Sequence, residues 1–194
     1  MDEGLIKIRH ARSKKDFPFL KLEEDEYVEF SFKRAKICLV LMMSAFTAGL
    51  VAVLIGFLIV MFNQGILDEM GRNFLNIILT TLAAATILAA IIALRVFRGN
   101  RIIITNKHVV QFTMISPVVN SMNMIDLPSI EDASFRQGGL IQKLLHYGTF
   151  RLSTVGDETT YTFPYSDITP GELRAVSKLI TDAKKKQKQG GDDK

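Results

Sequence analysis

The chain has one cysteine, no tryptophan and five prolines in 194 residues, and two long stretches carry no charged side chain at all. With Cys38 alone, no intrachain disulfide can form, so packing and hydrogen bonds must hold the fold. Cys38 reads as a small apolar filler rather than a reactive or acylated thiol. The uncharged stretches, 37–62 and 74–94, hold about 26 and about 21 residues, roughly 39 and 31 Å as helices, against a hydrocarbon core of about 30 Å. A water-soluble domain of this size has no interior for both. They predict a transmembrane helical hairpin over 36–97, with spans at about 37–62 and 74–96. Neither run contains Asp, Glu, Lys, Arg or His, the side chains of a proton or ion path. Neither contains Pro, so the broken helices of a transporter site are not indicated. No signal peptide is indicated either, because the first run is too long for an h-region and lacks a clear cleavage site.

The net charge is only +4, but its distribution is uneven. Lys and Arg crowd the segment before the first run, up to Lys33, Arg34 and Lys36, and Arg95, Arg98, Arg101 and Lys107 follow the second. The intervening stretch, 63–73, has Arg72 beside Asp68 and Glu69. Basic residues at span ends stay on the cytoplasmic side. The expected topology is multi-pass in the plasma membrane, with both termini cytoplasmic.

Small residues recur at four-residue spacing within the runs. Ala48, Ala52 and Gly56 share one face of the first, with Ala45 and Gly49 beside them, and Ala85, Ala89 and Ala93 share one face of the second. Such faces let helices approach closely in lipid. Packing within the hairpin is the expected use, and homo-oligomerisation the alternative.

Residues 1–35 form a cytoplasmic N-terminal segment, polar and loosely ordered over 1–15. Alternation at 27–33, with Val28, Phe30 and Phe32 on one face, predicts a strand. That strand either pairs with the C-terminal sheet, which is favoured, or lies on the membrane surface. Beyond Arg98 the texture becomes β-branched. Strands are predicted at 101–105, 108–115, 118–125, 129–135, 149–155 and 159–164, with a turn at Asn106-Lys107 and a short helix at 140–145 ended by Gly148. Thr169-Pro170-Gly171-Glu172 is a helix start, and Leu173, Val176, Leu179 and Ile180 form its apolar stripe. The basic stretch 184–194 reads as a disordered tail.

Several stretches resemble, in order, the bacterial membrane-anchored PH-like (pleckstrin-homology) families once catalogued as domains of unknown function. They are 101–110 (RIIITNKHVV), 124–130 (MIDLPSI), 139–148, which ends His146-Tyr147-Gly148 where Gly is commoner than His at the first position, the capping helix, and 18–23 (PFLKLE) before the first span. The resemblance implies an α+β membrane protein. Its hairpin would be followed by a small β-barrel or sandwich of about seven antiparallel strands over 98–183, capped by a C-terminal helix. It implies a binding or scaffolding module.

Chemistry is hard to find. His10, His108 and His146 fall in different elements, without the converging ligands of a metal site. No G-x-S-x-G, P-loop or dinucleotide fingerprint occurs. Ser153, Thr154, Asp157 and Glu158 read as a solvated hairpin tip. No enzyme, no metal and no cofactor is expected, and nucleic acid is a poor partner because the basic groups do not interleave with aromatics. The expected role is cytoplasmic docking of a protein partner or of its own copies. The alternatives are contact with anionic lipid, through Arg101, Lys107, Arg136 and Lys143, or an accessory role in envelope transport or export.

Overall fold

The computed structural model describes residues 3–62, 68–154 and 160–191. It opens with a helix where the sequence suggested loose chain, α1 (Glu3–Asp16). The contacts that hold α1 are long-range, which is why local periodicity did not reveal it. The Arg9 guanidinium makes a bidentate pair with Glu29 at 3.0 and 3.1 Å and lies 4.6 Å over the Tyr27 ring. Ser13 Oγ accepts the Val28 N–H at 2.9 Å.

Strand β1 (Val28–Lys33) follows, and it pairs antiparallel with β2 (Arg101–Thr105). Pairing with the sheet is thus the fate of the alternating N-terminal segment. Between these two adjacent strands the chain inserts α2 (Lys36–Phe62) and α3 (Glu69–Gly99), which pack against each other. Both are long and apolar enough to cross a membrane. Side chains such as Leu54, Ile55, Ile77 and Leu88 point away from the rest of the protein. Helix α3 starts earlier than the apolar run because the Asp68 side chain caps it, accepting the Gly71 N–H at 3.0 Å. It ends where Asn100 Nδ2 turns to the carbonyls of Val96 (2.6 Å) and Met114 (3.1 Å).

The strands β3 (His108–Met114) and β4 (Asn120–Asp126) complete a sheet in the order β1-β2-β3-β4. A 3-10 turn (Leu127–Ser129) leads to β5 (Ile130–Arg136), which joins β6 (Gly148–Thr154) and β7 (Thr160–Ser166) in a second antiparallel sheet. A bridge from Arg34 to Ser166 links the end of β1 to the end of β7. Among the described residues there are therefore seven strands in the two sheets, but the first precedes the hairpin. A unit cut at 98–183 would lack it. The turn predicted at Gly156-Asp157-Glu158 lies outside the described residues.

The run Ile102-Ile103-Ile104 is buried on both faces, which is why it is apolar without alternation. Ile102 and Ile104 join Phe150, Leu152 and Phe163 in the space between the sheets. Ile103 and Val110 face the other way, onto Leu20 of the N-terminal arm. Helix α5 (Pro170–Gly191) places Val176 and Ile180 in the main core. The Thr169 N–H and hydroxyl donate to Glu172 Oε2 at 2.8 and 2.7 Å, and the Glu172 N–H returns to Thr169 Oγ1 at 3.3 Å, a reciprocal cap. The helix does not stop at Lys184. Its Nζ donates to the Glu131 carbonyl at 3.3 Å and the turns continue to Gly191, so the expected disorder from 184 onward is corrected; 192–194 lie outside the described residues.

Helix α4 (Leu140–Leu144) ends before His146, whose φ of 53° is left-handed. A side chain costs about 1–2 kcal/mol there and glycine almost nothing. His146→Gly is expected to raise stability by about 1 kcal/mol, read as a higher melting temperature of the full chain in detergent. An unchanged or lower melting temperature contradicts the strain argument.

Candidate functional site

Antiparallel pairing sorts the strand ends into two groups. Lys33, Arg101, Met114, Asn120, Arg136, Gly148 and Ser166 lie at the end from which α2 and α3 leave. Besides the Asn100–Met114 hydrogen bond, further contacts fix this hairpin end to the helices. Met114 lies so close to Gly99 that a Cβ there would meet its sulfur at 2.7 Å. Tyr147 packs on the cluster Ala35–Cys38–Phe97. The Ala35 N–H donates to the Tyr165 carbonyl. The opposite, far end holds the Asn106-Lys107 turn and Asp126.

At the hairpin end a cavity of about 920 Å³ opens between the helix ends and the first strands. Its cations are Lys33, Arg34, Lys36, Arg98 and Arg101, and its carboxylates Asp16 and Asp167. Among the described residues none of these five cations makes an ion pair. The Arg34 guanidinium lies 5.5 and 5.7 Å from the Phe97 and Tyr165 rings. Its Nε is buried without a hydrogen-bond partner. Loss of hydration holds its pKa below the usual value, despite partial compensation from Tyr165 and Cys38. Arg101 lies 4.9 Å over the Phe19 ring.

Flanking the cavity, the loops of this end carry bare apolar side chains. Ile115, Val118 and Val119 sit between β3 and β4, with Val118 90% exposed. Leu140, Ile141 and Leu144 sit on α4, with Leu140 87% exposed.

The four basic residues singled out from the sequence separate. Arg101 lines the cavity. Lys143 is exposed on α4, and Arg136 shares a shallow recess with Arg151 on the second sheet. Lys107 is at the far end, where its Nζ is 3.0 Å from Glu23 Oε2 and 3.3 Å from the Glu24 carbonyl. It is therefore spent on the N-terminal arm. The small-residue faces separate too. Gly56 meets Leu79 and Gly49 meets Thr86 across the hairpin, and Ala93 is half-buried. Ala48, Ala52, Ala85 and Ala89 are exposed. The packed stripe instead runs through Phe46, Leu50, Val53 and Val60, because a 3.6-residue period carries four-residue spacing away from the contact line.

The far end holds a cluster that sequence reasoning missed. Glu26, 3% exposed, accepts the Thr105 hydroxyl at 2.6 Å and the Glu23 N–H at 3.0 Å. His108 Nδ1 lies 2.9 Å from Glu26 Oε1, and its Nε2 lies 3.4 Å from Asp126 Oδ1. His10 Nδ1 lies 2.7 Å from the Glu26 carbonyl, so two of three histidines scattered in sequence meet at one residue. Burial pushes the Glu26 carboxyl up, but hydrogen bonds from Thr105, Glu23 and His108, with the His108 charge, leave it below the usual carboxylate value. Thr105 is fully buried, so no substrate can reach its hydroxyl. The cluster ties the arm to the sheet. Asn106 adds to it by accepting the Tyr27 N–H and donating to the Asp25 carbonyl, each at 3.0 Å. Asp25 rather than Asn106 takes the left-handed backbone. Comparison with protein-family models, curated proteins and solved structures gave no match to this chain.

Proposed function

We propose that the protein is a membrane-anchored, PH-like binding module that faces the cytoplasm, carries out no catalysis and rests hairpin end down on the bilayer, where it contacts anionic lipid. The observation that carries this reading is the coincidence, at one end, of the emerging helices, five cations that make no ion pair among the described residues, and the bare side chains Val118 and Leu140. Apolar side chains in the interface and basic groups near anionic headgroups add to one another, the latter by about 1 kcal/mol each. Two helices whose outward faces are apolar almost throughout leave a hydrocarbon phase as their natural surroundings. Lipid contact thereby moves ahead of docking a protein partner or a second copy, the order that sequence alone suggested.

The test uses the full chain with Cys38→Ser in mixed anionic liposomes, labelled at single cysteines introduced at Val118, Leu140 or Asp126. Labels at 118 and 140 should be quenched by lipids carrying spin labels near the headgroup, and the label at 126 should not. Equal quenching at all three positions, or none, sinks the reading. In intact cells, tags on either terminus should be shielded from external protease; cleavage of one of them would reverse the topology.

A further inference from the structure

Five cations converge on the hairpin-end cavity from four places: the end of β1, the start of α2, the end of α3 and the start of β2. Such convergence of like charge raises the local positive potential and draws an anion, although Lys33, Lys36 and Arg98 are exposed to water. The nearest carboxylates do not suffice. Asp16 is 3.8 Å from Arg12 Nε, outside the cavity's own set, which leaves Asp167. Arg34 adds the second observation, because this half-buried guanidinium lines the cavity between the Phe97 and Tyr165 rings with no carboxylate among the described residues paired to it. Apolar walls stand beside the cations, from Phe17, Leu39 and Phe97. The cavity therefore offers charge to a polar head and hydrocarbon to what is attached to it. A planar, multi-donor guanidinium suits phosphate oxygens in particular.

We propose that this cavity holds the phosphate-bearing headgroup of an anionic phospholipid, drawn laterally from the cytoplasmic leaflet between α2 and α3 where they meet β1 and β2. The inference rests on the membrane reading above and deepens it. General contact with lipid becomes one built site. Arg34 donates to a phosphate oxygen, Arg98 and Lys36 neutralise the remaining charge, and the glycerol end lies along Leu39 and Phe97. A free phosphate shares the headgroup chemistry but gains nothing from the apolar walls.

The full chain, purified in a neutral detergent, is titrated by native mass spectrometry with phosphatidylglycerol, with phosphatidylcholine of the same acyl chains, and with inorganic phosphate. One phosphatidylglycerol should be retained in preference to phosphatidylcholine by about tenfold or more, with inorganic phosphate far weaker. Arg98→Gln, at an exposed position, should lower retention about fivefold, the weight of one cation near a lipid surface. Arg34→Gln should lower it further, and Lys178→Ala on α5, which removes the same charge elsewhere, should leave it unchanged. Circular dichroism on each variant separates lost binding from lost fold. Equal retention of the two lipids overturns the proposal, as does an equal loss with Lys178→Ala. Binding of inorganic phosphate that phosphatidylglycerol cannot displace also overturns it. If labels at 118 and 140 enter the bilayer while phosphatidylglycerol is not preferred, only the headgroup site fails; if the labels stay in water, the membrane-seating reading fails with it.

Discussion

Glu26→Ala is expected to destabilise the protein by about 3 kcal/mol and to free the N-terminal arm. The loss has three parts. The Glu23 N–H and His108 Nδ1 lose their shared acceptor, and the fully buried Thr105 hydroxyl must turn to the His108 carbonyl 3.0 Å away. Hydrogen bonds to a charged acceptor contribute about 1.5–3 kcal/mol each, and a stranded buried donor costs about 1–3 kcal/mol. With the arm loosened, Leu20 leaves Ile103 and Val110 open to water on the outer face of the first sheet. Protease should then cut between α1 and β1 at concentrations that spare the wild type, and a denaturant melt in detergent should shift by the stated amount. The pH dependence follows from the direction of the Glu26 shift. Its folded-state pKa lies below the ordinary 4.5, so the carboxylate contributes stability at and above that pH and loses it as pH falls through the depressed value. The wild type should lose stability more steeply than Glu26→Gln on acidification below about 4.5. Parallel curves for the two would show that Glu26 is not the linked group.

Much of the fold was legible because its signals are local. The uncharged runs mark α2 and α3, alternation marks β1, and Thr169 through Glu172 spell out a cap that the side chains then form. The partner of β1 is not marked locally, since it lies beyond the whole of α2 and α3. What was not legible depends on contacts between distant segments. Nothing near Arg9 or Ser13 in sequence announces Glu29 or Val28 as partners, so α1 looked unstructured. Lys107 looked available for lipid because its partner, Glu23, is 84 positions upstream. The site shows the same division. Lys33, Arg34, Lys36, Arg98 and Arg101 are all visible in the sequence as flanking charges, but of these the sequence marks only Arg101 as a lipid contact. That they line one cavity follows from strand order, because the hairpin is inserted between neighbouring strands and so returns the chain to where it left. Reading the basic collar on both sides of a hairpin as one site, whenever the flanking strands can pair, would have found it.

Gly148→Ala is expected to be about as damaging as the loss of Glu26, for a reason that sequence alone assigned wrongly. A glycine after a short helix looks like its terminator, yet α4 is closed by Leu145 and the left-handed residue is His146. Gly148 is the first residue of β6, and its need for glycine is one of space. A Cβ there would lie 2.5 Å from the Arg136 carbonyl oxygen and 2.8 Å from the Phe135 ring. The oxygen belongs to the neighbouring strand's backbone and cannot swing aside, so the methyl must push β5 and β6 apart at the hairpin end. Overpacking of this kind costs about 1–3 kcal/mol, and the upper part of that range applies where backbone must move. The shift also displaces Tyr147 from the Ala35–Cys38–Phe97 cluster that joins the two sheets to the helices, so the labels at 118 and 140 should enter the bilayer less deeply as well. Gly139→Ala is the matched control, at the other end of α4. Its φ of −179° suits any residue and nothing lies within 4 Å of the added carbon, so the change is expected to stay within about 0.5 kcal/mol of zero, the stiffer unfolded chain offsetting the loss of a glycine N-cap. Thermal melts of the two variants in detergent should therefore diverge by several degrees. If they coincide, the close approach of β5 to Gly148 is not what requires glycine there.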